Sequence, residues 1–151
     1  MKKIYSILAL VFAFSAIHAQ SEKMVQWNFT TKKVADKTYE IHMTATIAPD
    51  YHMYAQDPGV EGPLPTIFKF TANPLATADG KIKEEGKIVK KKEGMWKGSV
   101  QYYENSVNFV QKVKLRGNVK TNVAGSVEFM VCNEVRCLPP SEIAFKVNIG
   151  G

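Results

Sequence analysis

The sequence predicts an all-β chain folded as an antiparallel sandwich. Three observations predict it. Apolar residues recur with a period of two, turn signals punctuate them at short intervals, and no segment of helical length carries a clean 3.6-residue stripe. Val25, Trp27 and Phe29 open the pattern, alternating with Gln26 and Asn28. Tyr39, Ile41, Met43, Ala45 and Ile47 follow, alternating with Glu40, His42, Thr44 and Thr46. Val107, Phe109, Val113 and Leu115 share one parity, which Gln111 breaks. Val127, Phe129 and Val131 form a further set, and Ile143, Phe145, Val147 and Ile149 the last. Thr66 to Thr71 and Trp96 to Tyr103 are weaker strand candidates. Thr77 to Lys92 is polar enough for a short helix, although Gly80 and Gly86 interrupt it. Turns are marked by Pro49-Asp50, Asp57-Pro58-Gly59, Gly62-Pro63, Asn73-Pro74, Asp79-Gly80 and Gly117-Asn118. Seven to nine short strands at this spacing suit two packed sheets.

The start of the chain reads as an export signal. Lys2 and Lys3 precede an apolar or small run from Ile4 to Ala16, and Ile17-His18-Ala19 ends in a small residue. The run is short of the roughly 20 residues that span a bilayer. Residues 1–19 are therefore read as a signal peptide and 20–151 as one domain, with no membrane insertion. Removing the leader takes two lysines with it, lowering the formal charge from +6 to +4. Much of the remaining charge clusters between Lys81 and Lys97. That is too local to argue for nucleic acid. It suits a solvated edge strand, where lysines discourage sheet-to-sheet aggregation. With 45% hydrophobic and 23% charged residues the chain is neither disordered nor low in complexity. A monomer is expected.

Cys132 and Cys137 are the only cysteines, with four residues between them. They lie where a strand ending near Val131 turns back into one starting near Ser141. Facing residues of a tight antiparallel turn have Cα atoms about 4.5–5.5 Å apart, and a disulfide needs roughly 4.4–6.8 Å. A bond is thus geometrically easy, and an oxidising compartment permits it. If Cys132 faces Cys137, the core residues of the two flanking strands fall out of step by one. A bulge near Pro139-Pro140 is the natural place to absorb the extra residue, since neither proline can donate to a ladder. The hairpin tip is then irregular, with the sulfurs off the regular sheet. Spacing leaves two readings open. As a staple, a six-residue ring supplies roughly 2 kcal/mol, which a domain with this much apolar alternation hardly needs. As a redox pair, the cysteines require access and a stabilised thiolate. Arg136 favours a Cys137 thiolate and Glu134 opposes it.

The segment Cys132-Asn133-Glu134-Val135-Arg136-Cys137-Leu138-Pro139-Pro140 resembles the cysteine loop of the N-terminal periplasmic domain of thiol:disulfide interchange protein DsbD, and of the related disulfide bond corrector domains. Ile47 to Tyr54 is similar to the aromatic strand of that family, and Gly94 to Tyr103 falls where it has a cap loop and the following strand. The resemblance implies an immunoglobulin-like sandwich that passes electrons between periplasmic thiol proteins, as a thiol:disulfide interchange component without a bound cofactor. It implies that Cys137 forms the mixed disulfide and Cys132 resolves it. Met95 and Trp96 would shield the pair, while His52, Tyr54, Arg136 and Pro139 would line the site. A thioredoxin-like domain or a membrane reductase would be the donor. A disulfide isomerase or a cytochrome c maturation protein would be the acceptor. The loop departs from that of DsbD, which has one more residue between the cysteines. The family's cap phenylalanine is replaced by Met95, and its acidic pair is reduced to Glu93 before Gly94. The rival reading is a secreted binding module whose disulfide is structural and whose loops, such as Ala55 to Pro65, meet a protein or glycan. His42 and His52, without a third ligand, are weak evidence for a metal.

Overall fold

The structure is a computed structural model that describes residues 20–151. The expected leader lies outside the described residues. A five-residue helix, α1 (Gln20–Met24), leads into β1 (Val25–Ala35), β2 (Thr38–Ile47), β3 (His52–Tyr54), β4 (Ile67–Phe70), β5 (Ala76–Lys92), β6 (Ser99–Leu115), β7 (Thr121–Phe129), β8 (Val131–Cys132) and β9 (Ser141–Ile149). All pairings are antiparallel. The larger sheet runs β1-β2-β6-β3-β8, with β5 on the other side of β6. The smaller runs β4-β7-β9.

The alternation becomes the core. Ile41, Met43, Ala45 and Phe109 of the larger sheet and Val127 and Phe129 of the smaller are completely sealed. Trp27 bridges the layers, its ring 6.0 Å from Phe109 and 5.5 Å from Phe129. Burying each of the larger of these side chains contributes roughly 1.5–3 kcal/mol. Phe145 lies over Gly125, where a Cβ would stand 3.0 Å from its ring and 2.3 Å from the Lys69 carbonyl. Only glycine lets β4 and the phenylalanine approach that closely. Gln111, the exception to the alternation, is buried and donates its amide to the Lys112 carbonyl at 2.7 Å. The same amide faces the Asp79 and Gly80 carbonyls, where the β5 register shifts.

Two expectations change. Thr77 to Lys92 is not a helix: it belongs to β5, a 17-residue strand paired along β6 from Leu115 to Ser99. Its glycines mark irregularities of the strand, with register shifts between Asp79 and Lys83 and between Gly86 and Ile88. It pairs with β6 alone, so the lysine cluster does occupy a sheet edge. The sulfurs are not both off the sheet either. β7 ends at Phe129 in the smaller sheet, and after Met130 the chain enters the larger sheet as β8. Cys132 is thereby paired with His52 of β3. The displaced register is as expected: Phe129 faces Ser141, but the Leu138 N–H reaches the Val131 carbonyl and Cys132 faces Cys137. Pro139-Pro140 therefore opposes Met130 alone.

Candidate functional site

The crossover of β8 builds one end of the molecule. Cys132 and Cys137 are joined by a disulfide, with Cα atoms 3.9 Å apart, closer than antiparallel geometry led us to expect. Cys132 is 1% exposed, whereas Cys137 is only half-buried. Asn133 shapes the loop between them. Its side-chain oxygen accepts the N–H groups of Val135 (2.9 Å) and Arg136 (2.8 Å), and its own N–H reaches the Arg136 carbonyl. This is an Asx turn, which satisfies backbone donors that a short loop leaves open. Val135 is pushed out at the tip, 84% exposed.

The segment between β5 and β6 reaches over this end. Met95 Sδ lies 3.7 Å from Cys137 Sγ, while Met95 remains 50% exposed. The residues on either side of it are tied down by Tyr54, itself completely buried. The Tyr54 hydroxyl accepts from Trp96 Nε1 at 2.9 Å and donates to Glu93 at 3.3 Å. Trp96 also packs on Gly62, where a Cβ would stand 2.4 Å from the indole and φ is +125°. Glycine is thus required there by both space and backbone. The Ala55 to Pro65 loop is in this way part of the site's wall: the Gln101 N–H donates to the Pro58 carbonyl, and Val60 and Leu64 join Trp96 against Tyr54, Val100, Tyr102, Met130 and Cys132.

His52 forms the floor. Its ring stacks on Tyr102 at 4.2 Å and its Nε2 lies 3.4 Å from Glu93. Nε2 also meets the Tyr54 hydroxyl at 3.5 Å. Burial, helped by the positive charge of Lys91, holds the His52 pKa down at about 4. The ring is neutral at pH 7. Burial and then Glu93 push the Tyr54 phenol up to about 12, against the Trp96 hydrogen bond. It keeps its proton and stays a donor.

A groove of about 900 Å³ runs beside the disulfide loop, between Met95 and Glu93 on one side and Asn133, Glu134 and Val135 on another. Asp50 and Asn105, which also line it, have φ of +67° and +63°. Asn105 lies in the β6 bulge where the strand exchanges β2 for β3 as neighbour. That irregularity frees the mouth of the groove from the sheet.

Six of the eight residues singled out in the sequence thus meet in one cluster: Cys132, Cys137, Met95, Trp96, His52 and Tyr54. Arg136 is exposed on the loop, which its backbone closes. Pro139 sits at the bulge, where its carbonyl accepts the Ser21 hydroxyl. Tyr102, Lys91 and Asn133 were missed as site residues. Tyr102 carried a usable signal, since it shares a parity with Val100, and it pairs with Tyr54 across β3 and β6. Among the described residues no group of three or more His, Cys, Asp or Glu is arranged to hold a metal.

Known proteins match this chain in fold and in family. No curated protein matches the sequence. Solved structures do match in fold. The N-terminal periplasmic domain of ScsB from Proteus mirabilis superposes with a TM-score of 0.60 at 17% identity, over 86% of this chain and 47% of that one. The chain therefore spans about half the length of that protein. The reduced N-terminal domain of Neisseria meningitidis DsbD gives 0.57 at 20% identity, over 86% and 89%. A complex between the DsbD and PilB N-terminal domains of the same organism gives 0.52 at 19%, over 83% of each. The fold is all-β and immunoglobulin-like. The profile of the family described as thiol:disulfide interchange protein DsbD, N-terminal, matches residues 19–149, so the chain belongs to that family.

Proposed function

We propose that this chain is a periplasmic thiol–disulfide exchange domain, exported by a leader over residues 1–19, that relays reducing equivalents through Cys132 and Cys137. The observation that carries the reading is the asymmetry of the pair: one sulfur is sealed and the other is half-buried beside a groove. Family membership and the disulfide support exchange chemistry. In the reductive direction, a donor thiolate attacks Cys137 Sγ and Cys132 leaves as the thiolate. The donor's second thiolate then attacks its own sulfur in the mixed disulfide and releases Cys137. Toward an acceptor, the Cys137 thiolate attacks the acceptor's disulfide and displaces one thiolate. Cys132 then attacks Cys137 Sγ, restoring the internal bond and freeing the second acceptor thiolate. Met95 shields Cys137 between these events, Trp96 anchors the cap, and His52 and Tyr54 hold it from below. Arg136 favours the attacking thiolate by its charge. Val135 and the groove offer an approaching partner a footing.

The donor is a thioredoxin-like domain or a membrane reductase, and the acceptor a disulfide isomerase or a cytochrome c maturation protein. The PilB N-terminal domain found with a DsbD N-terminal domain is the kind of partner we have in mind. Among the described residues no helix is long and apolar enough to cross a membrane. Equilibration of the mature domain with a dithiothreitol couple tests the reading. A reduction potential of about −180 to −270 mV is expected. A value well below about −300 mV identifies a structural bond and overturns the relay. Cys132→Ala, with Cys137 kept, traps a mixed disulfide in periplasmic extract if the relay operates.

A further inference from the structure

Met95 differs from the other methionines in the described part of the chain. Met43 and Met53 are 0% exposed and Met130 is 9%, while Met24 is half-buried. Met95 is 50% exposed, and its sulfur is the atom that meets Cys137. An oxidant in solution therefore reaches this thioether ahead of the others, since oxidation of methionine follows exposure. We propose that Met95 is a peroxide-oxidation site, and that its conversion to the sulfoxide uncovers the Cys132–Cys137 disulfide.

The chemistry is self-contained. The thioether sulfur attacks one oxygen of hydrogen peroxide, the O–O bond breaks as the S–O bond forms, and proton transfer releases water. The sulfur loses two electrons and the peroxide gains them. The product carries a strongly polar oxygen in place of a lone pair. Against Cys137 that oxygen finds no donor, because a disulfide sulfur has no hydrogen. A polar group without a partner favours water. Glu93 and Trp96 keep the adjacent backbone tied to Tyr54, so the Met95 side chain alone swings out. A phenylalanine at this position would lack the sulfur and with it the response.

This inference rests on the proposal that Met95 covers an exchanging pair, and the experiment separates the two. The disulfide-bonded protein is treated with graded hydrogen peroxide, oxidised positions are mapped by peptide mass, and the rate of disulfide reduction by dithiothreitol is followed. Met95 sulfoxide is expected first, with reduction about three- to tenfold faster. Met95→Leu should reduce slowly before and after peroxide. Met95→Ala should reduce fast in both. Oxidation of another methionine first overturns the proposal. So does a sulfoxide at Met95 that leaves the rate unchanged while Met95→Ala is fast, in which case the cover itself stands. A slow Met95→Ala removes both the cover and this inference.

Discussion

The two ends of the sandwich are packed by different rules. The main core is built mainly from aliphatic and phenylalanine side chains of both sheets, with Tyr39 and Tyr103 among them, and the residues between face outward by strand parity. The cluster at the disulfide end is smaller and mixed: two tyrosines, a valine, a methionine and a cysteine, with a histidine stacked beneath and Trp96, Val60 and Leu64 as a partial roof. In the first region burial does most of the work, Tyr103 being an exception whose hydroxyl donates to Glu84 at 2.7 Å. In the second, Tyr54 and His52 bring polar atoms whose partners, Glu93 and Trp96, come from the cap. The stability of that end is thereby coupled to the position of the cap, whereas the core is indifferent to it.

Phe109→Ala breaks the comparison on the core side. The ring is completely buried and touches Trp27, Phe68 and Tyr103. Its loss should cost about 3–5 kcal/mol in urea unfolding. At low denaturant the rate of disulfide reduction by dithiothreitol should hardly change. An accelerated reduction would show that the two ends are one cooperative unit.

The same division explains what the sequence disclosed. Strands such as Tyr39–Ile47 and Ile143–Ile149 were legible because one face is buried, so parity alone reports them. The bulge at Pro139-Pro140 was legible because two parities had to be reconciled. β5 was not, because its burial pattern lacks a regular alternation on an exposed edge, and its strand state comes from hydrogen bonding to β6. The transfer of Cys132 to the larger sheet was hidden as well. Nothing local to Met130 announces a change of sheet; it follows from β3 arriving beside β8, a pairing of residues 52–53 with 131–132. Tyr54 and Trp96 were recognisable as site aromatics only through the resemblance. Their hydrogen bond spans 42 positions of sequence.

His52 sharpens the comparison through pH. Its pKa is about 4 when folded and about 6.5 when unfolded. Between those values the unfolded chain binds the extra proton, so stability rises with pH there. The contribution is fully present above pH 6.5 and is lost as the pH falls toward 4. The shift corresponds to about 3 kcal/mol. Wild type minus His52→Gln, measured by denaturation at intervals across this window, should isolate that limb. Lys91→Met should raise the His52 pKa, seen by NMR titration, because the lysine charge helps to hold it down. A parallel pH profile in His52→Gln would mean that the ring is solvated and the floor of the site open.

Tyr54→Phe has the smallest expected effect and addresses the coupling itself. It keeps the ring's packing and removes one oxygen. The Trp96 N–H loses its acceptor and Glu93 loses a donor, while His52 Nε2 loses its 3.5 Å contact with the hydroxyl but still faces that carboxylate. Both orphaned groups are only partly buried, so water partly replaces the hydroxyl. The cost should be about 1–2 kcal/mol, the lower part of the range for an unsatisfied polar group. Because those two residues flank Met95, disulfide reduction should also accelerate several-fold. The core offers no counterpart, since none of its residues holds a segment over the disulfide. If Tyr54→Phe loses stability at an unchanged reduction rate, the roof is held by Trp96 packing on Gly62 rather than by the hydroxyl. If it gains rate at unchanged stability, the clasp serves the cap alone.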